Sequence, residues 1–149
     1  MNHWRMRDVF LATVVLLAAV TVAGVVSLLG IPAAPCARVQ QKIVEFTIVA
    51  DLDGYNGSKL HDGQGPLLSV HTCDTVVVNF TNRDVQAHGL AVDFYAANGL
   101  EATGRETVDL QFLAFKTGSF RVFCKTICSV HSYMQHAQLD VVCALGSGC

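Results

Sequence analysis

The stretch "GSFRVFCKTICSVHSYM", Gly118 to Met134, joins a strand-like segment to a loop carrying two thiols, an imidazole and a thioether. The strand pattern ends at Cys124, and the next strand-like segment, "HAQLDVVCAL", begins at His136. The sequence therefore predicts two neighbouring strands whose connection gathers four side chains with metal-binding atoms.

Those four side chains belong to Cys124, Cys128, His131 and Met134. Thiolate, imidazole and thioether ligands together favour copper, because structural zinc sites rarely use methionine and hard cations prefer oxygen. A methionine beside a strand is usually core filler, but here it lies three residues after a histidine. His88 follows a strand-like segment upstream and offers a second imidazole. The pattern predicts a copper site.

Short strand-like segments separated by turn residues fill the rest of the chain beyond residue 38. They are Lys42–Ala50, two within Leu67–Asn82, one from His88 to a turn at Gly99, Glu106–Phe115, Gly118–Cys124 and the strand that begins at His136. About seven such strands predict an all-β antiparallel sandwich or Greek-key barrel, with no helix longer than a turn. We interpret Asp51–Pro66 as a loop, in which Asp51 and Asp53 serve turns rather than calcium.

The N-terminal part of the chain has the pattern of a membrane anchor. No residue from Val9 to Ala37 is charged, and the run that ends at Leu29 is long enough to span a bilayer as a helix. Arg5 and Arg7 precede it, so the positive-inside rule predicts a cytoplasmic N-terminus.

The chain thus divides into residues 1–37, a cytoplasmic N-terminus with a transmembrane helix, and residues 38–149, an extracytoplasmic domain. We expect a single-pass protein of the cell membrane, in contact with lipid. The formal net charge is −2 and no basic stripe is present, which argues against a nucleic-acid partner.

The chain resembles subunit II of haem-copper (cytochrome c) oxidases. "GSFRVFCKTICSVHSYM" is similar to that family's copper loop, in which a strand leads into Cys-x3-Cys-x3-His-x2-Met, and "NRDVQAHGLAVDF" resembles its DV-His segment. A single span before a small outer domain is similar to the short B-type oxidases, and the resemblance covers essentially the whole chain. It implies a cupredoxin-like Greek-key β-sandwich or barrel anchored by one N-terminal transmembrane helix.

The resemblance also implies a dinuclear CuA centre of two copper ions. Its ligands would be His88, Cys124, Thr126 (through its backbone carbonyl), Cys128, His131 and Met134. The two thiolates bridge the ions. The first histidine and, weakly, the methionine bind one ion, and the second histidine and the carbonyl bind the other.

Two spacings depart from the family pattern. Only two residues separate Cys128 from His131, where the family has three, and the DV-His segment has one extra residue before His88. The shorter spacing also resembles amicyanin-like blue copper, which would make a mononuclear site with Cys124 idle. The strand pattern instead aligns Cys124 with the blue-copper cysteine, and we favour two copper ions.

Other ionisable residues have simpler interpretations. His136 is a fallback ligand if the register of the loop shifts, and His61 and His71 are expected at the surface. Asp8 lies at the cytoplasmic edge of the predicted span, where a proton path and a solvated helix N-terminus are both open interpretations.

The function that the resemblance implies is electron entry into a terminal oxidase. A cytochrome c or a small blue copper protein would donate electrons, and the haem of subunit I would receive them; this chain would be an oxidase subunit without catalytic residues. A stand-alone membrane-anchored mononuclear cupredoxin shuttle is the alternative. A thiol–disulfide copper chaperone would need a helix after Cys128, and none is predicted.

Four further cysteines suit disulfides in an extracytoplasmic domain. In a cupredoxin the last strand runs parallel to the strand Leu67–Thr72. We therefore predict one bridge between Cys73 and Cys143, and we predict a second between Cys36 and Cys149.

Overall fold

The computed structural model describes residues 11–16, 36, 39–144 and 149. The chain divides into two compact units, Met1–Ala34 and Pro35–Cys149. In the first unit, residues 11–16 are helical.

Among the described residues, no helix is long and apolar enough to cross a membrane. Most of the span predicted from Val9 to Leu29 lies outside those residues, as do Arg5, Arg7 and Asp8. The membrane anchor and its orientation therefore stay predictions.

Nine strands and two 3₁₀ helices form the described part of the second unit. The strands are β1 (Ile43–Asp51), β2 (Gly54–Tyr55), β3 (Gln64–His71), β4 (Thr75–Asn82), β5 (His88–Val92), β6 (Ala96–Ala102), β7 (Thr107–Leu113), β8 (Gly118–Phe123) and β9 (His136–Val142). The 3₁₀ helices are Ser58–His61 and His131–Met134. One sheet has the strand order β2-β1-β4-β7 and the other β3-β9-β8-β5-β6. The predicted all-β architecture is confirmed.

A cluster of buried apolar side chains takes members from both sheets. Val76, Val78 and Phe80 of β4 are at most 1% exposed, as their alternation predicts, and Leu139 and Val141 of β9 join the same cluster. Because successive side chains of a strand point to opposite faces, each sheet buries one face. The result is a two-layer sandwich.

Two strand pairings in this sandwich are parallel. They join β1 to β4 and β3 to β9, whereas the other pairs are antiparallel. The β3–β9 pairing agrees with the arrangement expected for the last strand. β8 and β9 are antiparallel neighbours, so the segment Cys124–Met134 connects adjacent strands, as predicted.

Two glycine-containing segments differ from the prediction. The predicted loop Asp51–Pro66 contains β2, the first 3₁₀ helix and the start of β3. The turn predicted at Gly99 lies inside β6, where a Cβ would meet the Leu90 carbonyl and Ala91 of the neighbouring strand. Glycine in a strand can mark such a close backbone approach as well as a turn.

The predicted disulfide pairing is wrong. The bridges are Cys36–Cys73 and Cys143–Cys149. The parallel pairing of β3 with β9 does bring the ends of these strands together, but Cys73 has a φ of 74° and its N–H donates to Ala114 O. Because β1 runs parallel to β4, both strands begin at this end of the sandwich. Cys36, which precedes β1, therefore forms its disulfide with Cys73, which precedes β4.

We predict that the two bridges differ in their contribution to stability. Their sequence separations are 37 and 6 residues, for which loop-closure entropy gives about 4 and about 2 kcal/mol. Replacing Cys36 and Cys73 by alanine should therefore lower the free energy of unfolding more than replacing Cys143 and Cys149. Denaturant titration of the two double variants measures this difference. An equal loss, or the opposite order, would contradict the entropic account.

Candidate metal centre

His88 and the two loop cysteines lie at the same end of the sandwich because β5 and β8 pair antiparallel. Ala91 pairs with Phe123, so the start of β5 lies close to the residue that follows β8. Each of His88, Cys124 and Cys128 offers one ligand atom, and these three atoms lie within 4.8 Å of one another. Three of the six predicted ligands thus form one cluster.

The imidazole of His88 is fully buried, and its two nitrogens have different surroundings. Nε2 lies 3.2 Å from Asp84 Oδ2, whereas Nδ1 has no hydrogen-bond partner within the described residues. Because a carboxylate accepts the bond, Nε2 carries the proton and Nδ1 has an available lone pair. Leaving such a nitrogen buried and unpaired costs about 1–3 kcal/mol. A metal ion bound to Nδ1 would remove that cost.

The carboxylate that holds His88 is itself fixed by the loop before β5. Burial favours the neutral acid, but hydrogen bonds from the Val85 and Gln86 backbone and from His88 lower the pKa of Asp84 below its ordinary value. The Asp84 amide donates to Asn82 Oδ1, and Asn82 Nδ2 donates to Gln86 O at 2.7 Å. A charged, oriented Asp84 therefore fixes the tautomer of the histidine, as carboxylates behind metal ligands do.

Both loop cysteines are reduced. Cys124 is 1% exposed, and the Gly89 N–H donates to its Sγ at 3.3 Å. Burial, with a smaller contribution from the neighbouring Cys124, raises the pKa of the Cys128 thiol. Because two adjacent thiolates repel, a cation bound between them is the partner that allows both to ionise.

Thr126 and His131 form a second group of donors next to Cys124. The Thr126 carbonyl oxygen accepts a hydrogen bond from Cys124 Sγ at 3.1 Å and lies 3.0 Å from His131 Nδ1. Gln135 Nε2 lies 3.1 Å from His131 Nε2 and donates to Cys124 O. His131 is not a member of the three-residue cluster formed with His88.

Met134 is fully buried in the second 3₁₀ helix, and its carbonyl oxygen accepts the Cys124 N–H at 2.8 Å. The same loop is held to the loop before β5, because Gln86 Nε2 donates to Ser129 Oγ and the Ser129 N–H donates to Gln86 Oε1. After Cys128 the described chain has a 3₁₀ helix of four residues. That short helix gives no support to a thioredoxin-like chaperone.

The remaining histidines of the domain lie at the surface. His61 and His71 are exposed, as predicted, and His136, the fallback ligand, is exposed at the start of β9. Asp51 Oδ1 accepts the Asp53 N–H at 2.9 Å, which is the turn chemistry expected of these residues.

Sequence reasoning missed two residues of this site. Asp84 lies four positions before the predicted ligand His88 in the sequence. In the structure its carboxylate lies beside the imidazole of that histidine. Tyr55 belongs to the predicted loop Asp51–Pro66, yet it is fully buried. Burial raises the pKa of its hydroxyl well above the ordinary value, and the nearby Cys124 adds a smaller increase. A lone aromatic residue among glycines and aspartates was the available signal.

No family model and no curated protein matches this chain. Several solved structures, however, match the chain. The copper nitrite reductase from Nitrosomonas europaea covers 68% of the chain with a TM-score of 0.58 and 17% identity. The multicopper oxidase mgLAC and the blue copper oxidase from Nitrosomonas europaea each cover 70% with a TM-score of 0.53 and 19% identity.

The chain spans about two fifths of the length of these proteins, 42%, 39% and 39% respectively. At such low identity the likeness concerns the fold alone. The described domain therefore has a cupredoxin-like fold, as the sequence predicted.

We predict that Asp84→Asn weakens metal binding. Both carboxylate oxygens of Asp84 accept hydrogen bonds, one from the Val85 N–H and one from His88 Nε2. Asparagine replaces one of these oxygens by an NH₂ group, which cannot accept a hydrogen bond from either donor. Loss of such a supporting group typically lowers metal affinity about 10- to 100-fold. Titration of the metal-free protein with Cu²⁺ measures the change, with Asp93→Asn, a partly exposed partner of Arg121, as the control. Equal affinities of the two variants would remove Asp84 from the site.

Proposed function

We propose that this chain is the electron-entry subunit of a haem-copper oxidase and that the loop between β8 and β9 holds a dinuclear copper centre. The observation that carries the proposal is the buried His88, whose Nδ1 has no partner among the described residues and which lies beside two reduced cysteines. The subunit takes electrons from a cytochrome c or a small copper protein and passes them to haem in subunit I.

Copper is the metal that this set of donors fits best. Two thiolates, imidazole nitrogens and the thioether of the same loop are soft or borderline ligands, which select copper over magnesium or calcium. The cupredoxin-like fold supports the same choice, since the three similar structures are named as copper enzymes.

Two ions are favoured because the donors fall into two groups that share Cys124. His88 belongs to the cluster with both thiols, whereas His131 Nδ1 and Cys124 Sγ converge on the Thr126 carbonyl. Met134 would be a weak ligand on the His88 side. When bound, copper would supply a one-electron carrier, and Cys124 and Cys128 are the residues whose thiolates would hold it.

The chain's own residues hold this site fixed and dry. Asp84 keeps the proton on Nε2 of His88, and the Gly89 N–H donates to Cys124 in a position where it stabilises thiolate charge. Cys124 and Met134 are buried, which limits access of water. Little rearrangement is then needed when an electron arrives.

A mononuclear membrane-anchored shuttle is the second candidate. Its support is that the cluster of three contains His88, Cys124 and Cys128 without His131, whose two ring nitrogens lie beside Thr126 and Gln135 instead. A single ion bound by these three residues would leave the contacts of His131 with Thr126 and Gln135 unchanged.

The partners and the location belong to the same proposal. The uncharged run from Val9 to Ala37 would anchor the chain in the cell membrane, with Arg5 and Arg7 in the cytoplasm and residues 38–149 outside. An anchored domain is the arrangement that a subunit docked on a membrane-embedded haem protein requires.

We predict that Cys124→Ser and Cys128→Ser each abolish the delocalised centre, because a centre shared by two ions would need both thiolates. The visible absorption and the copper content per chain of the Cu²⁺-loaded variants measure this effect. Ser132→Ala, an exposed position in the same loop, is the control. Survival of the wild-type spectrum in either cysteine variant would indicate a mononuclear site with the other thiol idle.

We also predict that the full-length chain, tagged and extracted from its native membrane in mild detergent, co-purifies with a larger haem-containing subunit. Haem absorbance in the purified fraction, compared with an untagged preparation, is the measurement. Isolation of the copper-loaded chain without haem protein would favour the shuttle.

A further inference from the structure

The connection between β1 and β3 makes hydrogen bonds to segments of the candidate metal centre. We call its segment Gly54–His61, which contains β2 and the first 3₁₀ helix, the strap. Although its sequence is glycine-rich and polar, Tyr55 and Ser58 of the strap are fully buried. Buried polar groups are normally retained only where they make hydrogen bonds.

Tyr55 contacts the half of the site that carries His88. Its hydroxyl donates to the Gly89 carbonyl oxygen, and its ring packs edge-to-face on Phe80 with the centroids 6.0 Å apart. The N–H of the same Gly89 donates to Cys124 Sγ. One residue therefore links the tyrosine hydroxyl to the buried thiol.

Ser58 contacts the other half of the site. Its hydroxyl donates to the carbonyl oxygen of Tyr133, which lies between His131 and Met134 in the second 3₁₀ helix. The same hydroxyl oxygen accepts the Tyr55 N–H at 3.1 Å. The two contacts of the strap are thus joined to each other.

The strap fits closely against the ligand loop. A Cβ at Gly54 would collide with Ser58 Oγ and come within 3.2 Å of Tyr133 O, and its φ of 85° is one that glycine adopts without strain. Lys59 also lies over the ring of Tyr133, 5.8 Å from its centroid. These contacts leave little room for the ligand loop to shift relative to β5.

We propose that Tyr55 and Ser58 are positioning residues, which fix the His88–Gly89 and His131–Met134 halves of the metal centre relative to each other. The inference rests on the proposed function and deepens it, because it names residues outside the ligand set that tune the copper. Neither residue belongs to the predicted ligand set; each donates a hydrogen bond to a backbone carbonyl of the site.

The two contacts predict different consequences. Tyr55→Phe keeps the ring and removes the donor to Gly89, so the bond from the Gly89 N–H to Cys124 weakens. Hydrogen bonds to a ligand sulfur stabilise the reduced centre, and losing one lowers the reduction potential. Ser58→Ala releases the Tyr133 carbonyl, so the ligand loop opens more often and the copper spectrum broadens.

The test uses the full-length chain in two states. In the Cu²⁺-loaded protein, the reduction potential and the visible spectrum are measured for Tyr55→Phe and Ser58→Ala. In the metal-free protein, mass spectrometry follows the rate at which iodoacetamide alkylates Cys124. The controls are Tyr95→Phe and Ser119→Ala, which remove hydroxyls that donate to Lys116 O and Asp140 Oδ1 outside the site.

We expect a lower potential in Tyr55→Phe, and a broadened spectrum with several-fold faster alkylation of Cys124 in Ser58→Ala, while both controls keep wild-type values. Strap variants indistinguishable from the controls would overturn the inference. If the wild-type chain binds no Cu²⁺, the proposed function fails, and alkylation still decides the positioning role. Because Ser58→Ala leaves the Tyr55 ring in the core, failure of one variant to fold leaves the other as a test.

Discussion

The antiparallel pairing of β5 with β8 is the constraint on which the site depends. It matches Ala91 with Phe123 and Val92 with Val122, all within a few residues of His88 and Cys124. His88 begins β5 and Cys124 follows β8, so the register of this short ladder brings a nitrogen and a sulfur from distant parts of the chain together. A shift by one residue would move the histidine to the other face of the sheet.

The two ends of the sandwich have different chemistry. At one end a buried histidine and two reduced thiols lie side by side, an arrangement that costs stability until a cation binds. At the other end both disulfides close the chain where β3 and β9 end and where β1 and β4 begin. Cross-links at the opposite end from Cys124 and Cys128 stabilise the domain and leave these two thiols free. This separation explains how reduced and oxidised cysteines coexist in one small domain.

Features set by short-range pattern were predictable from the sequence. Alternation along Val76–Phe80 and the spacing of Cys124, Cys128, His131 and Met134 yielded the core strand and the candidate ligands. The disulfides were not predictable in the same way, because their pairing depends on where a parallel neighbour, β1, begins and on the backbone turn at Cys73. The strap was missed for a related reason: glycines and aspartates signal turns, and the burial of Tyr55 arises from contacts with distant segments, Phe80 of β4 and Gly89 of β5.

The central claim is that two copper ions share one electron through the thiolates of Cys124 and Cys128. The most direct measurement is electron paramagnetic resonance of the copper-loaded, full-length chain in its one-electron-oxidised state, combined with copper per chain. The account predicts two coppers and a hyperfine pattern from an unpaired electron shared equally by two copper nuclei. One copper per chain, with the hyperfine pattern of a single nucleus, would contradict it.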